Sequence, residues 1–177
     1  MQVTRRLFIV PLANNNHGKT SMLNALLAQG LGGKSPEQKG ARELFDSTGR
    51  PIDAYVFVRS YQETLKKKYK SVSKALDKND RQWKERELII LPSHVHRSET
   101  DVDEMIAVAH GAGFDVVCAL VVLDGSDRQD SSQILEKGWD ERVTIMNPRQ
   151  DNEQRRRALL NALGCDLWTW ICKALTT

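Results

Sequence analysis

The sequence predicts an α/β fold, a mostly parallel sheet of about five strands with helices on both faces. Three observations point to it. Short aliphatic runs without polar alternation recur along the chain, as strands covered on both faces require. Between them lie stretches with apolar residues at three- and four-residue spacing, the mark of amphipathic helices. Glycines stand where those stretches stop. Strands that alternate with helices build parallel sheets through right-handed crossovers.

The elements follow in order. Leu7-Phe8-Ile9-Val10 is the first strand, and residues 20–29 form a helix with Met22, Leu23, Leu26 and Leu27 on one stripe, stopped by Gly30. Residues 31–40 are rich in Gly, Lys, Ser and Pro and read as a loop. Tyr55-Val56-Phe57-Val58 and Leu88-Ile89-Ile90-Leu91 are further strands. Residues 100–110 place Val102, Met105, Ile106 and Ala109 at helical spacing, with Thr100 and Asp103 as a cap pair and Gly111 and Gly113 at the end. The run 116–123 and Val143-Thr144-Ile145-Met146 complete the strands. A short helix over 131–137 precedes Gly138, another spans 151–163 with Leu159, Leu160 and Leu163 inward, and Gly164 separates it from a tail helix.

The chain has 177 residues, of which 40% are hydrophobic and 28% charged, as in an ordinary globular protein. It reads as one domain over 1–177, with the charged stretch 62–86 as a lid or arm and 166–177 as the tail helix. The net charge of +3 permits an anionic ligand without demanding nucleic acid. Three cysteines, Cys118, Cys165 and Cys172, form no CxxC pair and read as reduced thiols. The expected setting is the cytoplasm, without a signal peptide or a membrane span.

The first strand runs into Ala13-Asn14-Asn15-Asn16-His17-Gly18-Lys19-Thr20-Ser21. The pattern for a phosphate-binding loop is G-x-x-x-x-G-K-[ST], and only its first glycine is replaced, by Ala13. The residue types suit the chemistry. A turn between strand and helix aims backbone N–H groups at an anion, and the helix N-terminus adds its positive end. Gly18 allows unusual dihedrals, and asparagines bear left-handed ones better than most residues. Lys19 offers a flexible charge to the β- and γ-phosphates, and the Thr20 hydroxyl suits Mg²⁺. Residues 14–21 are therefore the expected nucleotide contacts, with His17 exposed and contributing only its backbone N–H.

At residues 7–29 the chain resembles the P-loop NTPase superfamily. The layout from Glu87 to Asp124 is similar to small kinases of the polynucleotide kinase and zeta-toxin type. Where those kinases carry an acidic residue, this chain has Pro92-Ser93-His94. Guanine-specific relatives carry N-K-x-D after a late strand, and the corresponding Met146-Asn147-Pro148-Arg149 keeps only the Asn. The resemblance implies ATP as ligand and Mg²⁺ as cofactor.

Phosphoryl transfer wants a carboxylate near Mg²⁺, a base and a cation on the transferring group. Asp124 ends the longest apolar run and is expected beside Mg²⁺ with Thr20; the alternative is a turn aspartate before Gly125. By the same resemblance Asp46 is the candidate base, with Asp53 competing, and Arg128 a lid arginine beside Lys19. His94-Val95-His96 puts two imidazoles on one face of an extended segment, suiting a metal or a pocket wall. Lys66-Lys67-Lys68-Tyr69-Lys70 is either a solvated helix face or an arm that meets an anionic partner. Trp168 and Trp170 belong to the core or to a partner or homo-oligomer surface. The expected function is ATP binding with phosphoryl transfer or hydrolysis; the alternative is a nucleotide-dependent regulatory module that meets protein or nucleic acid.

Overall fold

A computed structural model describes residues 5–33 and 39–177, with the backbone alone for Lys39, Ser126 and Arg128. Strand β1 (Leu7–Ala13) leads into helix α1 (Lys19–Gly30). A hairpin of β2 (Lys39–Phe45) and β3 (Pro51–Phe57) follows, then three short helices, α2 (Tyr61–Thr64), α3 (Lys66–Tyr69) and α4 (Val72–Asn79), and a 3-10 turn at Trp83–Glu85. Next come β4 (Leu88–Ile90), β5 (Ser93–His94), α5 (Glu99–Gly111), β6 (Asp115–Val122), α6 (Gly125–Asp130), α7 (Ser132–Leu135), β7 (Glu141–Met146) and α8 (Glu153–Ala174).

The sheet order is β2-β3-β4-β1-β6-β7, with β5 continuing the pairing of β4 along β1. Every pairing is parallel except that of β2 with β3. The α/β class and the mostly parallel sheet stand as expected, but the described residues form seven strands rather than about five. The two extra strands are those that apolar runs cannot reveal. Strand β2 is an edge strand carrying Lys39, Arg42 and Glu43, and β5 is two residues long, just after Pro92. The loop expected over 31–40 thus ends within β2, and residues 34–38 lie outside the described residues.

Alternation along β1 sends Phe8, Val10 and Leu12 to one face and Leu7, Ile9 and Ala13 to the other. The first face packs against Tyr61, Val72, Ala75, Leu76 and Trp83 and against Val102, Met105, Ile106 and Ala109 of α5. The second packs against Met22, Leu23, Leu26 and Leu27 of α1 and Leu160, Leu167, Trp168 and Ile171 of α8. The charged stretch expected as a lid or arm is a docked layer of the first face. Each large apolar side chain it buries is worth about 1.5–3 kcal/mol. That exceeds the few tenths per pair that like-charge neighbours on a helix cost.

One boundary needs correction. Gly164 does not divide two helices; α8 runs unbroken through it. A Cβ there would lie 2.5 Å from the Met22 carbonyl oxygen and 2.7 Å from Ala25 Cβ. The glycine lets α1 and α8 touch backbone to backbone. Trp168 is buried in the second face and Trp170 packs against it, which places both in the core layer. Among the described residues, no helix is long and apolar enough to cross a membrane.

Candidate functional site

The chain leaves β1 toward β3 and β4 on one side and reaches β6 and β7 on the other, so β1 is the topological switch of the sheet. Open α/β sheets form their ligand crevice at the carboxyl ends of the strands around such a switch. A cleft of about 990 Å³ opens there. Its floor is the turn from Asn14 to Gly18 and the first residues of α1, through Ser21.

That turn is shaped by left-handed residues: Asn16 has φ of 63° and Gly18 of 87°. Asparagine tolerates this conformation and glycine favours it. A second constraint falls on Gly18, because a Cβ would lie 2.6 Å from Leu160 Cδ2 and 3.0 Å from Asn147 Nδ2. Gly18 caps α1, and the first turn of a helix leaves its N–H groups without intrahelical acceptors. Those of Lys19, Thr20 and Ser21 stand at the cleft floor, a setting that favours an anion.

Two side chains hold the turn from behind: Asp127, which the sequence did not single out, and Asn147, noted only as the Asn kept from N-K-x-D. Asp127 of α6 is 1% exposed and accepts from the Leu123 amide at 2.6 Å and the Asp124 amide at 3.2 Å. It also accepts from Asn14 Nδ2 at 2.9 Å and meets His17 Nδ1 at 2.9 Å. Asn147, just past β7, donates Nδ2 to the His17 carbonyl at 2.9 Å. His17 is therefore not the exposed residue expected: its ring is tied to Asp127, and its N–H donates to the Asn14 carbonyl at 3.4 Å. The early signal for Asp127 was its place after an apolar strand, and that place was assigned to Asp124.

Lys19 is 7% exposed. Its ammonium donates to the Ser60 hydroxyl and, at 2.9 Å, to the Ser93 carbonyl. Both partners are neutral. Burial lowers its pKa to about 8, partly opposed by the charge of Glu63. Gln62 braces the Ser93 side, donating to Ser93 Oγ at 2.9 Å and to Asp101 at 3.0 Å and accepting from the His94 amide at 3.1 Å. Thr20 and Ser21 are exposed at the floor, with Thr20 Oγ1 3.5 Å from the Val58 carbonyl.

Of the described residues lining the cleft, Glu63 is the one carboxylate, and its Oε1 lies 2.9 Å from His94 Nε2. Strand β5 stops at His94 and His96 falls in a turn, so the two imidazoles do not share an extended face. Among the described residues, no group of three metal-ligating side chains gathers. Asn147, Arg149, Gln150, Arg156 and Leu160 form the far wall.

The other expected site residues lie elsewhere. Asp46 sits in the β2–β3 turn, accepting from the Thr48 amide at 2.8 Å and the Arg50 amide at 2.9 Å, and does not line the cleft. Burial works against its carboxylate, but hydrogen bonds from Thr48 and Arg50 and the Arg50 charge hold its pKa below the usual range. Asp53 pairs with Arg86 at 2.6 Å. Asp124 does not line the cleft, and its Oδ2 lies 3.3 Å from Arg149, which does. The Arg128 side chain lies outside the described residues. In comparisons with known proteins, no family model matches the chain and no curated protein sequence matches it.

Proposed function

We propose that the cleft binds a nucleoside triphosphate, ATP with Mg²⁺, and supports phosphoryl transfer or hydrolysis. One observation carries this reading: among the described residues, a buried lysine with no carboxylate in hydrogen-bonding reach stands beside the N-terminal amides of α1. A buried charge that only neutral groups satisfy is costly, and an arriving anion relieves that cost. The sequence pattern 13–20 makes a polyphosphate the natural anion.

On this reading the amides of residues 18–21 hold the phosphates. Lys19 gives up Ser60 and Ser93 and turns to the β- and γ-phosphate oxygens. The base and ribose occupy the far wall by Asn147, Gln150 and Leu160. The hydroxyl of Thr20 and the carboxylate of Glu63 fit a cation that takes few protein ligands and keeps its waters. Bound Mg²⁺ would neutralise charge on the phosphates. Glu63, held by His94, is also placed to accept a proton from water or an acceptor hydroxyl.

Titration of a fluorescent ATP analogue with Mg²⁺ tests binding, with Lys19→Ala as the comparison. Saturable binding lost at least tenfold in that variant is expected; equal affinity in both sinks the reading. Phosphate release measured in wild type and Glu63→Gln then separates turnover from binding alone. Absent turnover with intact binding favours the regulatory module, a reading that the single carboxylate of the cleft also accommodates.

A further inference from the structure

Charge is unevenly placed in this chain. Residues 66–84 hold eight lysines and arginines against two aspartates, a net +6, whereas the whole chain carries +3. Everything outside this segment therefore sums to −3. The segment is docked on the sheet through Val72, Ala75, Leu76 and Trp83, which are all buried. All eight cations are exposed. The i, i+4 pair Lys74 and Lys78 lies on the outer side of α4, opposite Val72, Ala75 and Leu76. Only Lys66 closes an ion pair among the described residues, with Asp101 at 2.9 Å. The two aspartates are already engaged: Asp77 accepts from Trp83 Nε1 at 2.8 Å, and Asp80 pairs with Arg86 at 2.8 Å.

We propose that this α3–α4 face binds the phosphate backbone of duplex nucleic acid, without reading its sequence. Charge density argues for the partner. A helix of eight residues is about 12 Å long. Duplex DNA presents about seven phosphate charges over that length. A membrane surface fits less well, because interfacial helices insert Trp, Phe or Leu alongside their cations. Among the described residues the exposed large hydrophobics are Phe45 and Met146, both outside the segment. A single strand also fits less well, because its binders stack bases on open aromatic rings. The segment's own rings are covered: Trp83 is buried, and Lys68 lies over Tyr69, 5.0 Å from the ring centroid. This inference stands apart from the nucleotide reading, since no residue of 66–84 lines the cleft.

The test is fluorescence anisotropy of a labelled 30-base-pair duplex with the full chain, from 50 to 200 mM salt. Four engaged cations give a log–log salt slope of about −4. Replacing two of them, Lys74→Gln with Lys78→Gln, should weaken binding about tenfold at 100 mM salt and reduce the slope by about 2. Arg155→Gln with Arg157→Gln, two exposed cations on α8, should leave binding unchanged. Unaltered circular dichroism of each variant confirms that surface charge alone was changed. No duplex binding at 50 mM salt, a flat salt dependence, or equal loss in the α8 variant overturns the proposal. So does capture by phosphatidylserine vesicles without duplex binding, or tighter binding of a single strand of the same length. Lys19→Ala should bind the duplex as wild type does, which keeps failure of this proposal distinct from failure of the nucleotide reading.

Discussion

Replacing Lys19 with methionine should change how stability depends on pH. Lys19 ordinarily titrates near 10.5 but is lowered by burial to about 8 in the folded chain. The gap corresponds to about 3 kcal/mol, at 1.36 kcal/mol per pH unit. Between pH 8 and 10.5 the unfolded chain holds a proton that the folded chain has released. Stability from this group therefore rises with pH across that window and is flat below it. Methionine keeps the buried stem and cannot titrate. Urea unfolding of both proteins at pH 7 and pH 9.5 should show wild type gaining about 2 kcal/mol on Lys19→Met over that interval. At pH 7 the variant should be no less stable than wild type. It sheds the buried charge, and this offsets the hydrogen bonds lost at Ser60 and Ser93, worth about 1–3 kcal/mol together. Other titrating groups are common to both proteins and cancel in the difference. Parallel stability–pH curves would refute the claim that the buried ammonium is a cost that awaits an anion. The same proton governs binding on the proposed reading: nucleotide affinity should fall about tenfold from pH 7 to pH 9, because the free lysine must regain its proton.

Three further outcomes test the architecture around the cleft. Gly164→Ala forces a Cβ within 2.5 Å of the Met22 carbonyl and 2.9 Å of the Leu26 amide nitrogen. It should cost about 2–3 kcal/mol in urea unfolding, while Gly111→Ala, which meets nothing within 4 Å, should be neutral or stabilising by up to about 1 kcal/mol. Asp127→Asn keeps an acceptor oxygen for the Leu123 and Asp124 amides but turns an amide donor toward Asn14 Nδ2 and His17 Nδ1, and should cost about 1–3 kcal/mol in chemical denaturation. Asn147→Ala frees the His17 carbonyl, and hydrogen exchange at residues 14–18 should quicken with global stability reduced by about 1 kcal/mol.

The buried part of the fold was legible because its strands are aliphatic on both faces. Strands β1, β4 and β6 announced themselves that way, β3 did so through its second half, and edge strand β7 through the short run from Val143 to Met146, of which only Ile145 is buried. Edge strand β2 did not, since Lys39, Arg42 and Glu43 leave it no continuous apolar run. The charged stretch misled for a similar reason. Nine cations dominate its composition over 62–86, while the buried residues that dock it, Leu65, Val72, Ala75, Leu76 and Trp83, are spread over nineteen positions. Gly164 shows the limit of reading glycine as punctuation. The glycine that lets two helices touch and the glycine that ends a helix look the same in one sequence.

The site divides along a related line. Gly18, Lys19 and Thr20 were legible because their roles depend on neighbours in the chain, fixed by one turn between a strand and a helix. Ser60, Ser93, Asp127 and Asn147 were not. Each reaches the turn from a different strand, helix or loop, and their sequence distances from Lys19 range from 41 for Ser60 to 128 for Asn147. The carboxylates expected as base and beside the metal, Asp46 and Asp124, were placed by their positions after a helix and after a strand. Asp46 lies in the hairpin turn, whereas Glu63 lies in the cleft because Tyr61 docks α2 beside β5, its amide donating to the Pro92 carbonyl at 2.8 Å. The same docking brings Gln62 to Ser93 and so sets the carbonyl that now holds Lys19. The short helix α2 thus couples the sheet's carboxyl end to both the cation and the acid of the cleft. A substitution that undocks it, such as Tyr61→Ala, should disturb Lys19 and Glu63 together.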